Sequence, residues 1–412
     1  MNIRQATGSD ADQIATLLAK SFLEDTSVIR VSIENNPRYS LSNMYVIEDK
    51  TVGSGIMGCL RITPFEVCSR GEKIPMAGIA AVAVQPESRR RGIAETLIED
   101  ALKKMYEMDF PISMLFPFRH KFYKKFGYAY VGNMAHYRLS PADIADFTER
   151  SHVRPFGKSD RNKVKKVLEQ EIREHGSFTP LRNEGFWDLV VIPKFKDAYV
   201  YDDGEVKGYV VFELYKEPAS TPGAFSEPIM NIKELVGLDA SAHRGLWGFI
   251  GALGEQVSRV EYLAPADYPV HIFLKEPRDR DYRRLFFEYK SFSTIAPGFM
   301  LRVINVRDVL AGLKHTIESP MDFVLKISDG NLPENSRLLN LHIHNGEAAV
   351  DETSRPAQFE ADIEIFSQIY SGFLKPGDAV RYGFATAEPS VLPKLNELFG
   401  ARSPFIYQFD IF

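Results

Sequence analysis

Residues 78–109 read GIAAVAVQPESRRRGIAETLIEDALKKMYEMD, and this stretch decides the fold. Gly78 to Val84 is a run of small and β-branched residues without a polar interruption, the pattern of a buried strand. It stops at Gln85-Pro86. A turn carrying Arg89, Arg90 and Arg91 leads to Gly92, after which Ile93, Leu97, Ile98, Ala101, Leu102 and Met105 recur at helical spacing. A strand that feeds through a glycine turn into a helix is a unit of an α/β fold. The spacing Arg89-x-x-Gly92-x-Ala94 sets consecutive backbone N–H groups at the helix N-terminus. Glycine and alanine allow close approach there and arginines add positive charge, so the turn suits a diphosphate. The same residues also fit an ordinary helix that opens on a solvated basic face.

Working outward, the chain repeats itself. Residues 3–18, IRQATGSDADQIATLL, align with residues 153–168, VRPFGKSDRNKVKKVL, which pairs Ile3 with Val153, Arg4 with Arg154, Ser9 with Ser159, Asp10 with Asp160 and Ile14 with Val164. Each begins as a strand and passes into a helix through Ser-Asp. MYVIEDKTVGSGIMGCLRIT in the first copy and DAYVYDDGEVKGYVVFELY in the second both read as strand, turn and strand, and GIAAVAV and NIKELVGL follow as further strands. The basic turn has its counterpart in Ser241-Ala242-His243-Arg244-Gly245. We therefore expect two tandem copies of one α/β unit, residues 1–148 and 149–292. After Pro297 the pattern changes: GFMLRVINV and FVLKISDG are strand-like, LLNLHIHNGEAAV is a hairpin with an Asn-Gly turn, and residues 360–374 and 389–399 are helical. Residues 293–412 are expected to form a third, α+β domain.

The 412 residues are 44% hydrophobic and 25% charged with a net charge of −5, which describes a globular chain without a basic footprint for nucleic acid. Cys59 and Cys68 alone cannot make a disulfide framework and point to a reducing compartment. The N-terminal MNIRQATGSD lacks the apolar core of a signal peptide, and no apolar run approaches a membrane span. The expectation is a cytoplasmic protein with no membrane or nucleic-acid partner. His342 and His344 share a strand face without a Cys, Asp or Glu cluster beside them, so no metal site is expected. Gly53-Ser54-Gly55-Ile56-Met57-Gly58 is a literal GxGxxG, but strand-like residues follow it instead of a helix. It reads as a hairpin turn.

The 78–109 segment resembles the coenzyme A loop of the GNAT acetyltransferase superfamily, whose pattern Arg/Gln-x-x-Gly-x-Gly/Ala is matched by Arg89, Gly92 and Ala94. A second superfamily element, a strand followed by a short helix with a tyrosine near the thioester sulfur, is matched by Ser113–Phe118 and by HKFYKKFGY at 120–128. The resemblance implies acetyl-CoA as cofactor, held by Val82, Ala83 and Val84 of the strand and by Arg89, Arg90, Arg91, Gly92, Ile93 and Ala94. In the second copy Ala242, His243 and Trp247 stand in place of Arg89, Arg90 and Ala94. An indole there blocks a pyrophosphate, so the second unit is expected to be a degenerate copy without a cofactor site. The layout of two such units and a C-terminal domain resembling a sterol carrier protein is similar to the Eis (enhanced intracellular survival) acetyltransferases. PESRRRGIA, FYKKFGYAY, PGFMLRVINV and Phe412 carry that likeness.

The resemblance implies acetyl transfer to a primary amine of an aminoglycoside-like, polyamine or lysine substrate by direct attack. Tyr123 is then the expected general acid for the leaving thiolate, and backbone N–H groups of Val82–Val84 stabilise the oxyanion. The tail reads as a strand, with Phe405, Tyr407, Phe409 and Ile411 on one face and Ile406, Gln408, Asp410 and Phe412 on the other. The Phe412 carboxylate is expected to assist amine deprotonation. Phe22, Glu24 and Asp25 are candidate substrate contacts and Asp410 a further acid, while Ile411 stands where the family has its penultimate acid. Members of the family assemble as hexamers, so a homo-oligomer is expected. A protein or peptide lysine acetyltransferase and a non-catalytic acyl-CoA or lipid carrier are the alternatives.

Overall fold

Five strands make the first half of the first sheet, in chain order: β1 (Asn2–Gln5), β2 (Met44–Glu48), β3 (Ile56–Ser69), β4 (Glu72–Val84) and β5 (Ile112–Leu115). Helices α1 (Ala11–Phe22) and α2 (Thr26–Asn35) connect β1 to β2, and α3 (Ile93–Glu107) carries the chain from β4 to its parallel neighbour β5. The computed structural model describes all residues except 50–54, 218–225, 255, 276–292 and 314–319. Gly53 and Ser54 of the GxGxxG stretch lie outside the described residues; Ile56 to Gly58 already belong to β3. The face of α3 is the one its spacing predicts: Ile93, Leu97, Ile98, Ala101, Leu102 and Met105 are buried.

The first unit continues through α4 (His120–Lys124), β6 (Ala129–Tyr130) and β7 (Asn133–Leu139). The second contains β8 (Val153–Pro155), α5 (Arg161–His175), β9 (Ser177–Pro180), the single turn α6 (Glu184–Phe186), β10 (Asp197–Asp202), β11 (Val206–Glu217), β12 (Glu227–Gly237), α7 (Ala240–Ala252) and β13 (Arg259–Pro265). The repeat is written in its ion pairs. Arg4 grips Asp10 at 2.7 Å and Glu48 at 3.2 Å, and Arg154 grips Asp160 and Asp202 at 2.6 Å each, so both copies lock the first strand to the first helix and to the next strand with one arginine.

The expected boundaries at 148/149 and 292/293 do not follow the sheets. β7 leaves the first unit and pairs with β13 in the second sheet, flanked by β14 (Ser293–Pro297). In exchange, β15 (Met300–Val303) returns from beyond the second unit to pair with β5 and β6. Each unit thus completes the other's sheet. Side-chain alternation decides which face a strand buries but not which of two equivalent edges it joins, so the sequence pattern is blind to this exchange.

The third unit is a sheet of five strands (321–328, 338–344, 347–352, 359–362 and 385–387) with helices at 306–311, 363–370, 376–381 and 392–399. Its core is continuous with the back of the first sheet: Phe323, Leu325, Phe366 and Ile369 pack in one cluster with Phe65, Met76, Ile112, Met114 and Leu301. Arg302 of β15 ties the two polar frames together, donating to the Phe126 carbonyl at 2.6 Å and meeting Asp329 at 2.9 Å. The tail does not form the expected strand. Residues 401–407 have no regular structure and Gln408–Asp410 is one tight helical turn. Phe405, Ile406 and Phe409 are buried, so the apolar residues find the core without sheet pairing, while Ile411 remains exposed.

Candidate active site

β4 and β5 run side by side only from Met76–Ile112 to Ile79–Leu115. Beyond that point no described strand covers the edge of Ala80–Val84 that faced β5. A bulge sits at the parting: Cys59 pairs with Ala83 and Arg61 with Ala80, so Ala81 and Val82 together oppose Leu60, and Ala81 has φ +52°. Gln85 N–H donates to the Met57 carbonyl at 2.8 Å, which fixes the phase of the ladder. Ala83 shares that phase, and the intervening Val84 turns its peptide groups to the open side. The opened edge offers backbone hydrogen bonds to an extended ligand, and its N–H groups are donors for an oxyanion.

The edge runs straight into the basic turn. Gly92 caps α3 with φ +75°, in a place where a Cβ would meet nothing within 4 Å, and no side chain caps this helix. The first N–H groups of α3 are therefore left for a ligand, with Arg89, Arg90 and Arg91 exposed around them and Ile93 buried beneath. The second unit has closed the same place. α7 begins at Ala240, so Gly245 and Trp247 lie inside the helix and do not correspond to Gly92 and Ala94 at the start of α3, where the sequence alignment had placed them. Asp239 caps α7 by accepting from Ala242 N–H at 2.8 Å, and the Gly245 Cα packs on the Tyr201 ring. Trp247 is fully buried, donates to the Tyr268 hydroxyl at 2.9 Å and stacks on Phe273. The residues of the first unit fit a diphosphate-bearing cofactor and those of the second do not.

Tyr123 lies on α4 in the cluster that holds Ile79, Leu115 and the inner side of Val82 and Val84. It is buried between the rings of Phe118, Phe122 and Tyr128, and its hydroxyl has no hydrogen-bond partner among the described residues. Burial, with a smaller contribution from Tyr128, raises its pKa above the ordinary phenol value. It is therefore neutral at physiological pH. Tyr128, fully buried, is engaged: its hydroxyl meets Ser113 Oγ at 2.7 Å, and Ser113 donates to the Ala77 carbonyl.

On the opposite face of the first sheet, the Phe412 ring packs against Phe65 at 4.7 Å and against Phe116, so close over β4 that only a glycine fits at position 78. Behind it, Asp410 meets Arg38 at 3.1 Å and Arg182 at 2.8 Å, and Arg182 also holds Glu234, which accepts from Tyr209 at 2.5 Å. Burial opposes the charge on Arg182, and Asp410 and Glu234 push its pKa well above the ordinary value. Asp410 is fully buried in this network and is not free to meet a substrate. Beside it opens a cavity of about 720 Å³, walled by Arg38, Thr63, Phe65 and Glu66 of the first unit and by Arg173 and Arg182 of the second.

Phe22, Glu24 and Asp25 stand apart from that cavity. Phe22 is 53% exposed and does not close the apolar face of α1, Glu24 is exposed, and Asp25 caps α2 by accepting from Ser27 N–H at 2.7 Å. An Asp-Thr-Ser run before a helix carries that capping signal. Arg38, Arg61 and Arg182 were not marked by any motif, because a network across two units has no local spacing. Among the described residues no group of three or more His, Cys, Asp and Glu could hold a metal ion, and no helix is long and apolar enough to cross a membrane.

The sequence matches the family described as Acetyltransferase (GNAT) domain over residues 2–131 and again over 180–303, and the Sterol carrier protein domain over 306–407. It is similar to N-acetyltransferase Eis of Mycobacterium tuberculosis, with 21% identity covering 87% of this chain and 86% of that protein. Among solved structures it is similar to a GCN5-related N-acetyltransferase from Anabaena variabilis (TM-score 0.84, 22% identity, 100% of both chains). Eis1 from Mycobacterium abscessus superposes with a TM-score of 0.77 at 18% identity, over 98% of this chain and 99% of that one. With two GNAT domains, a sterol-carrier-protein-like domain and this likeness along its length, the chain belongs to the Eis-like family of GNAT N-acetyltransferases.

Proposed function

We propose that the first domain alone binds acetyl-CoA and transfers its acetyl group to a primary amine, and that the second domain is a scaffold. The observation that carries this reading is the contrast between the uncapped α3 beside an open β4 edge and α7, whose first N–H groups are capped by Asp239. The thioester supplies an activated acyl carbon. The amine nitrogen attacks that carbon, the C–S bond breaks and the thiolate leaves. N–H groups along Val82–Val84 receive the charge that develops on the carbonyl oxygen. Tyr123 donates its hydroxyl proton to the thiolate. The proton shed by the amine passes to the Phe412 carboxylate, whose ring anchors it over Gly78. An amine of an aminoglycoside, polyamine or lysine side chain is the acceptor class the family resemblance suggests, acting in a cytoplasmic homo-oligomer, hexameric by that resemblance. Thiol release from acetyl-CoA, measured across a panel of amines, tests the reading: release that requires both an amine and acetyl-CoA supports it, and acetyl-CoA binding without any amine-dependent release would leave a carrier instead.

A further inference from the structure

Arg61 is a buried guanidinium without a counter-ion among the described residues. It is 5% exposed, its Nε donates to Thr63 Oγ1 at 3.0 Å and its plane lies 3.8 Å from the Tyr39 ring. No carboxylate lies within 4 Å of it among the described residues. Arg38, Arg182 and Arg302 are buried as deeply, and each of them meets an aspartate. A buried charge left unpaired is costly, so a protein retains one where a ligand completes it.

Its position says which ligand. Alternation along β3 turns Leu60 and Ile62 towards α3 and turns Cys59, Arg61, Thr63 and Phe65 to the face that carries Phe412. Arg61 pairs with Ala80, the first residue of β4 beyond its ladder with β5. Thr63 and Phe65, next on the same face, wall the 720 Å³ cavity. An acceptor that reached the opened edge from this cavity would cross the face of β3 that bears Arg61. Arg38 and Arg182 on the cavity walls are balanced by Asp410 and Glu234, and Lys73 and Arg173 stand with Glu66 and Glu169, so Arg61 is the cation on this side whose charge is left to a ligand.

Resting on the acetyl-transfer reading, we propose that the acceptor is a primary amine that also bears a carboxylate, and that Arg61 receives this carboxylate. A guanidinium held by Thr63 and Tyr39 still has terminal N–H groups to offer a planar, two-pronged acceptor, which a carboxylate is. A single unpaired positive charge is balanced by a single negative one, so the doubly charged phosphate monoester is the poorer match.

The test compares 6-aminohexanoate with its carboxamide and with 6-aminohexylphosphonate as acceptors, in wild type, Arg61→Met and Arg61→Lys. Wild type is expected to favour the carboxylate over the carboxamide by about 10–100-fold in kcat/KM, the range of a buried charge-assisted hydrogen bond. Arg61→Met is expected to bring that ratio to within about threefold of one, and Arg61→Lys to keep part of it. A wild-type preference for the carboxamide, a preference for the phosphonate, or an equal loss on all acceptors in Arg61→Met overturns the proposal; the last is the result if Arg61 serves only the Phe412 carboxylate or the fold. If no amine releases thiol at all, the acetyl-transfer reading fails, and binding of 6-aminohexanoate by calorimetry still decides about Arg61. Affinity lost in a folded Arg61→Met supports the anion site, and equal affinity in both proteins overturns it.

Discussion

Arg38, in the loop after α2, and Asp410, two residues from the end of the sequence, meet at 3.1 Å in a place where both are buried. Arg182 from the second domain holds the same carboxylate, so three distant parts of the chain close on one group. Removing one partner of such a network strands the charges left behind. Asp410→Asn is expected to destabilise the protein by about 3–5 kcal/mol, read as a lower midpoint in denaturant. An unchanged midpoint would show that the network adds nothing net to the fold.

The same clasp positions Phe412. Adding one alanine after it keeps the ring but moves the charge by about 3.3 Å in an extended chain, and a misplacement of about 1 Å can already cost a hundredfold in rate. Turnover of the extended protein is expected to fall by at least that factor while its circular dichroism stays that of wild type. Full activity in the purified, extended protein would remove the carboxylate from the mechanism.

Tyr123→Phe takes away one hydroxyl and leaves the rings of Phe118, Phe122 and Tyr128 packed. kcat is expected to drop by about 10²–10⁴-fold, the usual contribution of a positioned acid, with acetyl-CoA affinity little changed. Retention of most of the turnover would leave Tyr123 as packing alone.

Much of this was legible in the sequence, for local reasons. The face of α3 follows from spacing, and the repeat was visible in the alignment of Arg4 with Arg154 and Asp10 with Asp160, residues that the structure joins as ion pairs. The sequence alignment set Trp247 against Ala94, but α7 begins at Ala240 and Trp247 lies well inside it, so what closes the start of this helix is the Asp239 cap and not the indole. What stayed hidden was non-local. The exchange of β7 and β15 depends on which edge a strand meets, and the tail satisfied its apolar residues and Asp410 without a strand partner. Asp25 resembled a substrate acid because a helix cap and a binding carboxylate use the same residue types in the same kind of loop.

The repeated ion pairs make a prediction about pH. Arg154 draws the Asp160 carboxyl from 3.8 down to about 2, against the opposing effect of burial, and the Gly157 N–H adds to the pull. With the folded value below the ordinary one, the unfolded chain takes up the proton first as pH falls. The stabilisation is complete above about pH 4 and is lost as pH falls through about 2. Wild type is expected to lose unfolding temperature more steeply than Asp160→Asn between about pH 5 and pH 2, having started higher. Parallel profiles would show that Asp160 does not carry this dependence.

The central claim is that one of two homologous folds keeps a cofactor site and the other has filled it. Titration calorimetry with acetyl-CoA tests it on wild type and on Ala94→Trp, which sets an indole in the first turn of α3 beside the N–H groups left for the diphosphate. The expected result is one acetyl-CoA per wild-type chain and none for Ala94→Trp, with the circular dichroism of the two proteins alike. Undiminished affinity in Ala94→Trp, or two molecules bound per wild-type chain, would contradict it.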